Sequence, residues 1–342
     1  KLMKTSSDGW VRYTSSLSVP GYVMVKATLL DPYGAPAKCD PNNVVQFGLG
    51  AGVRTAELEQ GVPEPADFDA FWEKCRKELE KVPVKVLERK EFRQSGKAVV
   101  WDVKVACAGP RPVSGYLAIP KGAAQKSCPL VLHFDGYGVR SAPVIESAKE
   151  IHFSVNAHGV DNGHKAHEYN VLGLGGYGFR NAENENPDTV YFKYMILRDL
   201  RALEYAKTLP EWDGKTIRLE GGSQGAFQTV AVAALSSGIT SIRIAVPWFC
   251  DLGGVTVGRV RGWRPDYRKA LNYYDTVNFA RRVKCPVRMN AGLSDYVCPP
   301  SGTRILYRNF RCPVTADFYQ GLDHKLYPGF LHHTAEKVVY RK

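Results

Sequence analysis

The feature that most constrains this chain is a serine set between glycines at a turn. GGSQG, Gly221 to Gly225, follows directly on the strand-like run TIRLE and leads directly into AFQTVAVAAL, a small-residue run that can begin a helix. Strand, sharp turn and helix in that order are the context a G-x-S-x-G elbow requires, because flanking residues without Cβ groups leave room for the neighbouring strand and helix. The surrounding sequence repeats the alternation. PLVLHF at 129–134, HFSVNAHG at 152–159, CPVRMNAG at 285–292 and VTADFYQG at 314–321 read as strands, and 190–209 reads as a long helix. Such alternation predicts a mostly parallel sheet with covering helices, an α/β architecture.

The 342 residues allow one large domain and a smaller attachment. From Trp10 to Gly50 the runs VRYTSSLSV and YVMVKATLL alternate apolar and polar residues between the turn signals PGY, DPYGAP and DPNN. This predicts three or four antiparallel strands, too few for an immunoglobulin-like sandwich of about 100 residues. Residues 1–50 are therefore expected to be a partial β-sandwich-like domain whose other half lies upstream, with 51–65 a proline-containing linker and 66–342 the catalytic domain. Asp67 or Asp69 is a suitable N-cap for a helix carrying Phe71, Trp72, Cys75 and Leu79.

A serine hydroxyl is a weak nucleophile at its free pKa, so it needs a base within hydrogen-bond reach, and the base needs an acid to fix its tautomer. In the α/β-hydrolase fold the acid and then the histidine follow the serine along the chain, on loops beyond later strands. LSDYVCPPS places Asp295 beyond CPVRMNAG, and LDHKL places His324 beyond VTADFYQG. Ser223, Asp295 and His324 are thus the candidate nucleophile, acid and base. Asp323 reads as a loop-solvating neighbour, and His332 and His333 as surface or capping residues opening a last helix, with either a weaker alternative to His324. Acyl transfer also needs two donors for the oxyanion. The backbone N–H of Gln224 supplies one, and that of Tyr137, in the turn FDGYG, the other; Asp135 is expected to be structural, since a carboxylate would repel the developing charge.

His152, His158, His164 and His167 form HxxxxxHxxxxxHxxH, but they divide between a strand and a loop, which argues against a metal site. Eight widely spaced cysteines form no CxxC pair, and Cys298 near the Asp295 loop reads as a packing residue before a second nucleophile. A net charge of +12 is spread through mixed-charge stretches such as KCRKELEKVPVKVLERK, which argues against a nucleic-acid partner. Neither an apolar run long enough for a membrane span nor a signal peptide is visible. Aromatic residues crowd 249–274, among them Trp263, Tyr267, Tyr273 and Tyr274; such residues pack cores more often than they stack on sugars.

Several ordered pieces carry a resemblance: PADFDAFW, GYLAIPKG, the GYG turn, LRALEYAKTLPEWDGKTIRLEGGSQG, VPWFCD and GLSDYVCPPS. From about Pro63 to Pro328 the chain resembles the acetyl xylan esterases and cephalosporin C deacetylases, carbohydrate esterase family 7. The resemblance implies an α/β-hydrolase fold and the same residues in the same roles: Ser223, Asp295 and His324 as triad, Tyr137 and Gln224 N–H groups as oxyanion hole. It implies removal of acetyl groups from xylan- or xylo-oligosaccharide-type carbohydrate through an acetyl-enzyme, with no metal or organic cofactor, in a secreted or periplasmic setting. Two departures stand out. His158 and Val160 occupy the arginine and glutamine places of the usual RGQ, and Lys325 follows His324 where the family has glutamate. The family often forms hexamers; an added N-terminal β segment would obstruct that, so a monomer or dimer is expected. The alternatives kept open are a degenerate hydrolase that only binds carbohydrate, and a peptidase or thioesterase on the same fold.

Overall fold

The computed structural model describes residues 3, 7, 9–40, 43–44, 46–325 and 333–340. In chain order the elements are β1 (Gly21–Thr28), β2 (Lys38–Asp40), β3 (Asn43–Val44), β4 (Gln46–Val53), α1 (Phe68–Glu80), β5 (Val86–Gln94), β6 (Ala98–Val105), β7 (Val113–Pro120), β8 (Cys128–Phe134) and β9 (Ile151–Val155). These are followed by α2 (Ala166–Asn170), α3 (Phe192–Ala206), β10 (Trp212–Gly222), α4 (Gln224–Leu235), β11 (Ser241–Ala245), α5 (Thr276–Ala280), β12 (Val287–Gly292), α6 (Pro300–Asn309), β13 (Val314–Gln320) and β14 (His333–Tyr340).

Among the described residues one sheet dominates, in the order β14-β13-β12-β11-β10-β8-β9-β7-β6-β5. Its centre, β13 through β9, is parallel throughout. At one edge β7, β6 and β5 form an antiparallel meander joined to β9, a wing the alternation pattern did not single out. At the other edge β14 runs antiparallel to β13. This corrects the expected last helix: residues 333–340 are a strand, so His333 stands in β14, while His332 lies outside the described residues. The cause is the open hydrogen-bonding edge of β13, which the TAEKVVY run completes with its β-branched residues, Val338 packing against the core.

Each central strand buries one set of alternate apolar residues under the helices: Leu130, Leu132 and Phe134 of β8, Ile217 and Leu219 of β10, Met289 and Ala291 of β12. α4 is apolar almost all round and lies buried between the sheet and its neighbouring helices, so the serine that precedes it is fixed by core packing. α1 starts at Phe68 with Asp67 as N-cap residue and buries Phe68, Phe71, Trp72, Cys75 and Leu79. The Asp67 carboxylate, instead of capping the helix, accepts a hydrogen bond from the Tyr273 hydroxyl.

In the N-terminal part β1 pairs antiparallel with β4, and β2 with β3. β4 crosses residue 50 and packs against β13 and the β12–α6 loop. No helix among the described residues is long and apolar enough to cross a membrane.

Candidate active site

Ser223 sits between β10 and α4 with φ 55° and ψ −119°, a backbone conformation that L-residues rarely adopt. The flanking glycines explain how it is reached. A Cβ on Gly221 would lie 2.2 Å from the Gly225 carbonyl oxygen, and one on Gly225 would lie 2.0 Å from that of Phe134. The elbow is also held from β11: Ser223 N–H donates to Ala245 O (2.9 Å) and Trp248 N–H donates to Ser223 O (3.2 Å).

Asp295 follows β12 and His324 follows β13, each at the carboxyl end of its strand as expected. His324 Nε2 lies 2.9 Å from Ser223 Oγ and Nδ1 lies 2.9 Å from Asp295 Oδ2. A carboxylate only accepts, so Nδ1 carries the proton and Nε2 offers its lone pair to the serine hydroxyl. The buried Asp295 has its other oxygen filled by the N–H groups of Val297 and Cys298, both at 2.8 Å. These three hydrogen bonds fix the orientation of the carboxylate. Asp323 is exposed and receives Lys325, whose N–H donates to Asp323 O (2.8 Å) and whose ammonium lies 3.9 Å from the Asp323 carboxylate.

The turn 135–138 packs on the elbow, the Gly225 position also lying against Asp135 O. Gln224 opens α4, so its N–H has no partner within the helix and is free to face a substrate oxygen. Asp135 is engaged with Gly136 N–H (2.8 Å) and Arg140 (2.7 Å), which is structural work. One residue that no sequence signal singled out ties the two halves of this region together. Tyr177 accepts from Gly138 N–H (3.0 Å), donates to Gln224 Oε1 (2.7 Å) and stacks on the Tyr137 ring at 4.2 Å. It lies in the glycine-rich run LGLGGYGF, where no apolar period marks it as core.

His158, in the arginine place of the family pattern, backs the same turn. It is buried, and burial pushes its pKa down to about 4, so the ring is neutral near pH 7. Gly138 O can only accept, so His158 Nε2 donates to it (3.0 Å) and Nδ1 accepts from the Tyr191 hydroxyl (2.8 Å). Tyr191 in turn receives Arg111 (3.0 Å).

The four histidines of the HxxxxxHxxxxxHxxH run do not converge. His152 meets His133 (2.7 Å), His158 is engaged as described, His164 lies 3.8 Å from Glu168, and His167 is exposed. Among the described residues the one compact group of metal-type donors is Asp295, Cys298 and His324, two of which already bond each other. Cys298 is buried, and burial raises its thiol pKa far above the ordinary value, which disfavours a reactive thiolate. Cys75, Cys107, Cys128, Cys250, Cys285 and Cys312 are free as well. Of the aromatic run, Tyr274 is buried and Tyr267 and Tyr273 half-buried, whereas Trp263 is 42% exposed and packs edge-on against Tyr137 at 4.5 Å.

A family model described as acetyl xylan esterase (AXE1) matches residues 56–260 and 264–341. The chain belongs to the acetyl xylan esterase family. It is accordingly a carboxylic ester hydrolase. Acetyl esterase Axe7A of Xylanibacter ruminicola is 28% identical over 335 residues, covering 91% of this chain and 74% of that protein. Two solved structures share the fold at 22% identity: an acetyl xylan esterase from Paenibacillus sp. R4 (TM-score 0.67) and acetyl xylan esterase 1 from Thermoanaerobacterium sp. JW/SL YS485 (TM-score 0.63). Each covers 80% of this chain and 93% of its own. The α/β-hydrolase fold expected from the elbow is therefore the fold of the esterase family.

Burial pushes the pKa of His133, as of His158, down to about 4. Below the ordinary value of about 6.5 the unfolded chain takes up protons that the native state does not, so stability is full above that pH and declines as pH falls towards 4. Urea unfolding at steps between pH 7 and pH 4.5 should show a loss on the order of a few kcal/mol. His158→Gln should flatten part of that slope, and an unchanged slope would contradict a neutral buried ring.

Proposed function

We propose that this esterase removes acetyl groups from acetylated carbohydrate of the xylan or xylo-oligosaccharide type. The observation that carries the reading is the unbroken line from Asp295 through His324 to Ser223, with both hydrogen bonds at 2.9 Å. In the proposed reaction His324 Nε2 takes the Ser223 proton as Oγ attacks the acetyl carbonyl. The N–H groups of Tyr137 and Gln224 receive the developing oxyanion. The oxyanion then collapses, breaking the acetyl C–O bond to the sugar, whose departing oxygen takes the imidazolium proton, and Asp295 balances the imidazolium charge meanwhile. Water attacks the acetyl-enzyme by the same route, returning Ser223 and releasing acetate.

The family match supports the acetyl group as the acyl part, and the exposed face of Trp263 beside Tyr137 offers an apolar surface for a sugar ring. Residues 1–50 are proposed to form a partial β-sandwich-like domain, whose strand β4 runs on to Val53 into the 51–65 linker, with 66–342 the catalytic domain. We place the enzyme outside the cytoplasm, secreted or periplasmic, as a monomer or dimer; cell fractionation and light scattering check both points, and a hexamer mass would contradict the second.

Acetate release from p-nitrophenyl acetate and from acetylated xylo-oligosaccharides should be measured for the wild type and for Ser223→Ala. Loss of a triad member should lower kcat by at least about 10⁴-fold. A folded wild type that releases no acetate from either substrate would refute the assignment.

A further inference from the structure

β4 inverts the usual arrangement of a half-buried strand. In FGLGAGV the glycines Gly48 and Gly50 face the body of the protein, while Phe47 and Leu49 are 65% and 54% exposed. The cause is close contact. A Cβ on Gly48 would lie 2.6 Å from the Ser294 Cβ, and one on Gly50 would lie 1.9 Å from the Leu293 carbonyl oxygen. The β4 backbone thus rests on the two residues that precede Asp295.

It reaches the other catalytic loop as well. Gly50 N–H donates to Gln320 Oε1 (2.8 Å), and Gln320 Nε2 donates to Gly50 O (2.7 Å). Gln320 ends β13, on the segment that leads into His324. Beneath this contact the two loops are joined, since Ser294 N–H (3.2 Å) and Ser294 Oγ (2.9 Å) both donate to Leu322 O. The partner strand β1 holds the hairpin down, its Tyr22 packing against the core.

We propose that the β1–β4 hairpin is a positioning brace for the acid–base pair. Gly50 and Gln320 fix the spacing of the loops that carry Asp295 and His324, and the segment serves turnover by way of those residues without touching substrate. This rests on the triad assignment made above. A loosened brace lets Asp295 drift from Nδ1. The imidazolium formed during turnover then loses its stabilising partner.

The test compares full-length Gln320→Ala and Gly50→Ala with wild type in p-nitrophenyl acetate hydrolysis across the acid limb of the pH profile. Gln320→Ala removes only the paired bonds, and so keeps the test valid if Gly50→Ala does not fold. Expected is a fall in kcat of about tenfold or more at a KM within about twofold of wild type. The acid limb should move to lower pH, and Phe47→Ser, on the outward face, should behave as wild type. Wild-type kcat and pH limb in a variant whose residues 46–53 have lost hydrogen-exchange protection would overturn the brace. So would a raised KM at unchanged kcat, which would place the hairpin in substrate binding. Activity that survives Ser223→Ala would instead overturn the triad assignment itself, a result visible in a chain with the hairpin intact.

Discussion

The site depends first on the strained backbone at Ser223. A positive φ at a non-glycine residue persists only where the surroundings over-determine it. Here that is done by two glycine contacts to carbonyl groups at 2.2 Å and 2.0 Å from a notional Cβ, and by backbone bonds from β11. The elbow projects Oγ above the carboxyl ends of the strands, where loops from β12 and β13 bring Asp295 and His324 to it. A parallel sheet makes this possible, since all its central strands end on the same side.

A second layer of polar contacts fixes the other wall. Arg111, Tyr191 and His158 form a chain of donors ending on Gly138 O, while Tyr177 holds Gly138 N–H and the Gln224 side chain. Both sides of the glycine turn are therefore anchored, by His158 and Tyr177, which are themselves buried. This gives a physical account of the departure at His158. A neutral histidine can fill a corner otherwise given to arginine, because it presents one donor to a carbonyl and one acceptor to a phenol.

The parts of the site legible in the sequence were those set by local pattern. Ser223 follows a strand and precedes a helix, and Asp295 and His324 each follow an apolar run by a few residues. The parts that were not legible depend on long-range contact. Nothing local marks Tyr177 as the tie between Gly138 and Gln224, and nothing in FGLGAGV, which straddles the expected boundary at residue 50, signals its approach to Leu293 and Ser294. The last helix was misplaced because a short amphiphilic run takes its conformation from the edge it meets, here β13. The β5–β7 meander went unread because the exposed β5 carries charge on both faces.

In the proposed reaction Ser223 accepts the acetyl group. Quenching the enzyme during turnover of an acetylated xylo-oligosaccharide, then digesting it for mass spectrometry, addresses this directly. One acetyl group on Ser223 in the wild type, absent in His324→Ala, is the expected result. Steady turnover with no acetyl on that serine, or with acetyl on another residue such as Cys298, would contradict the account.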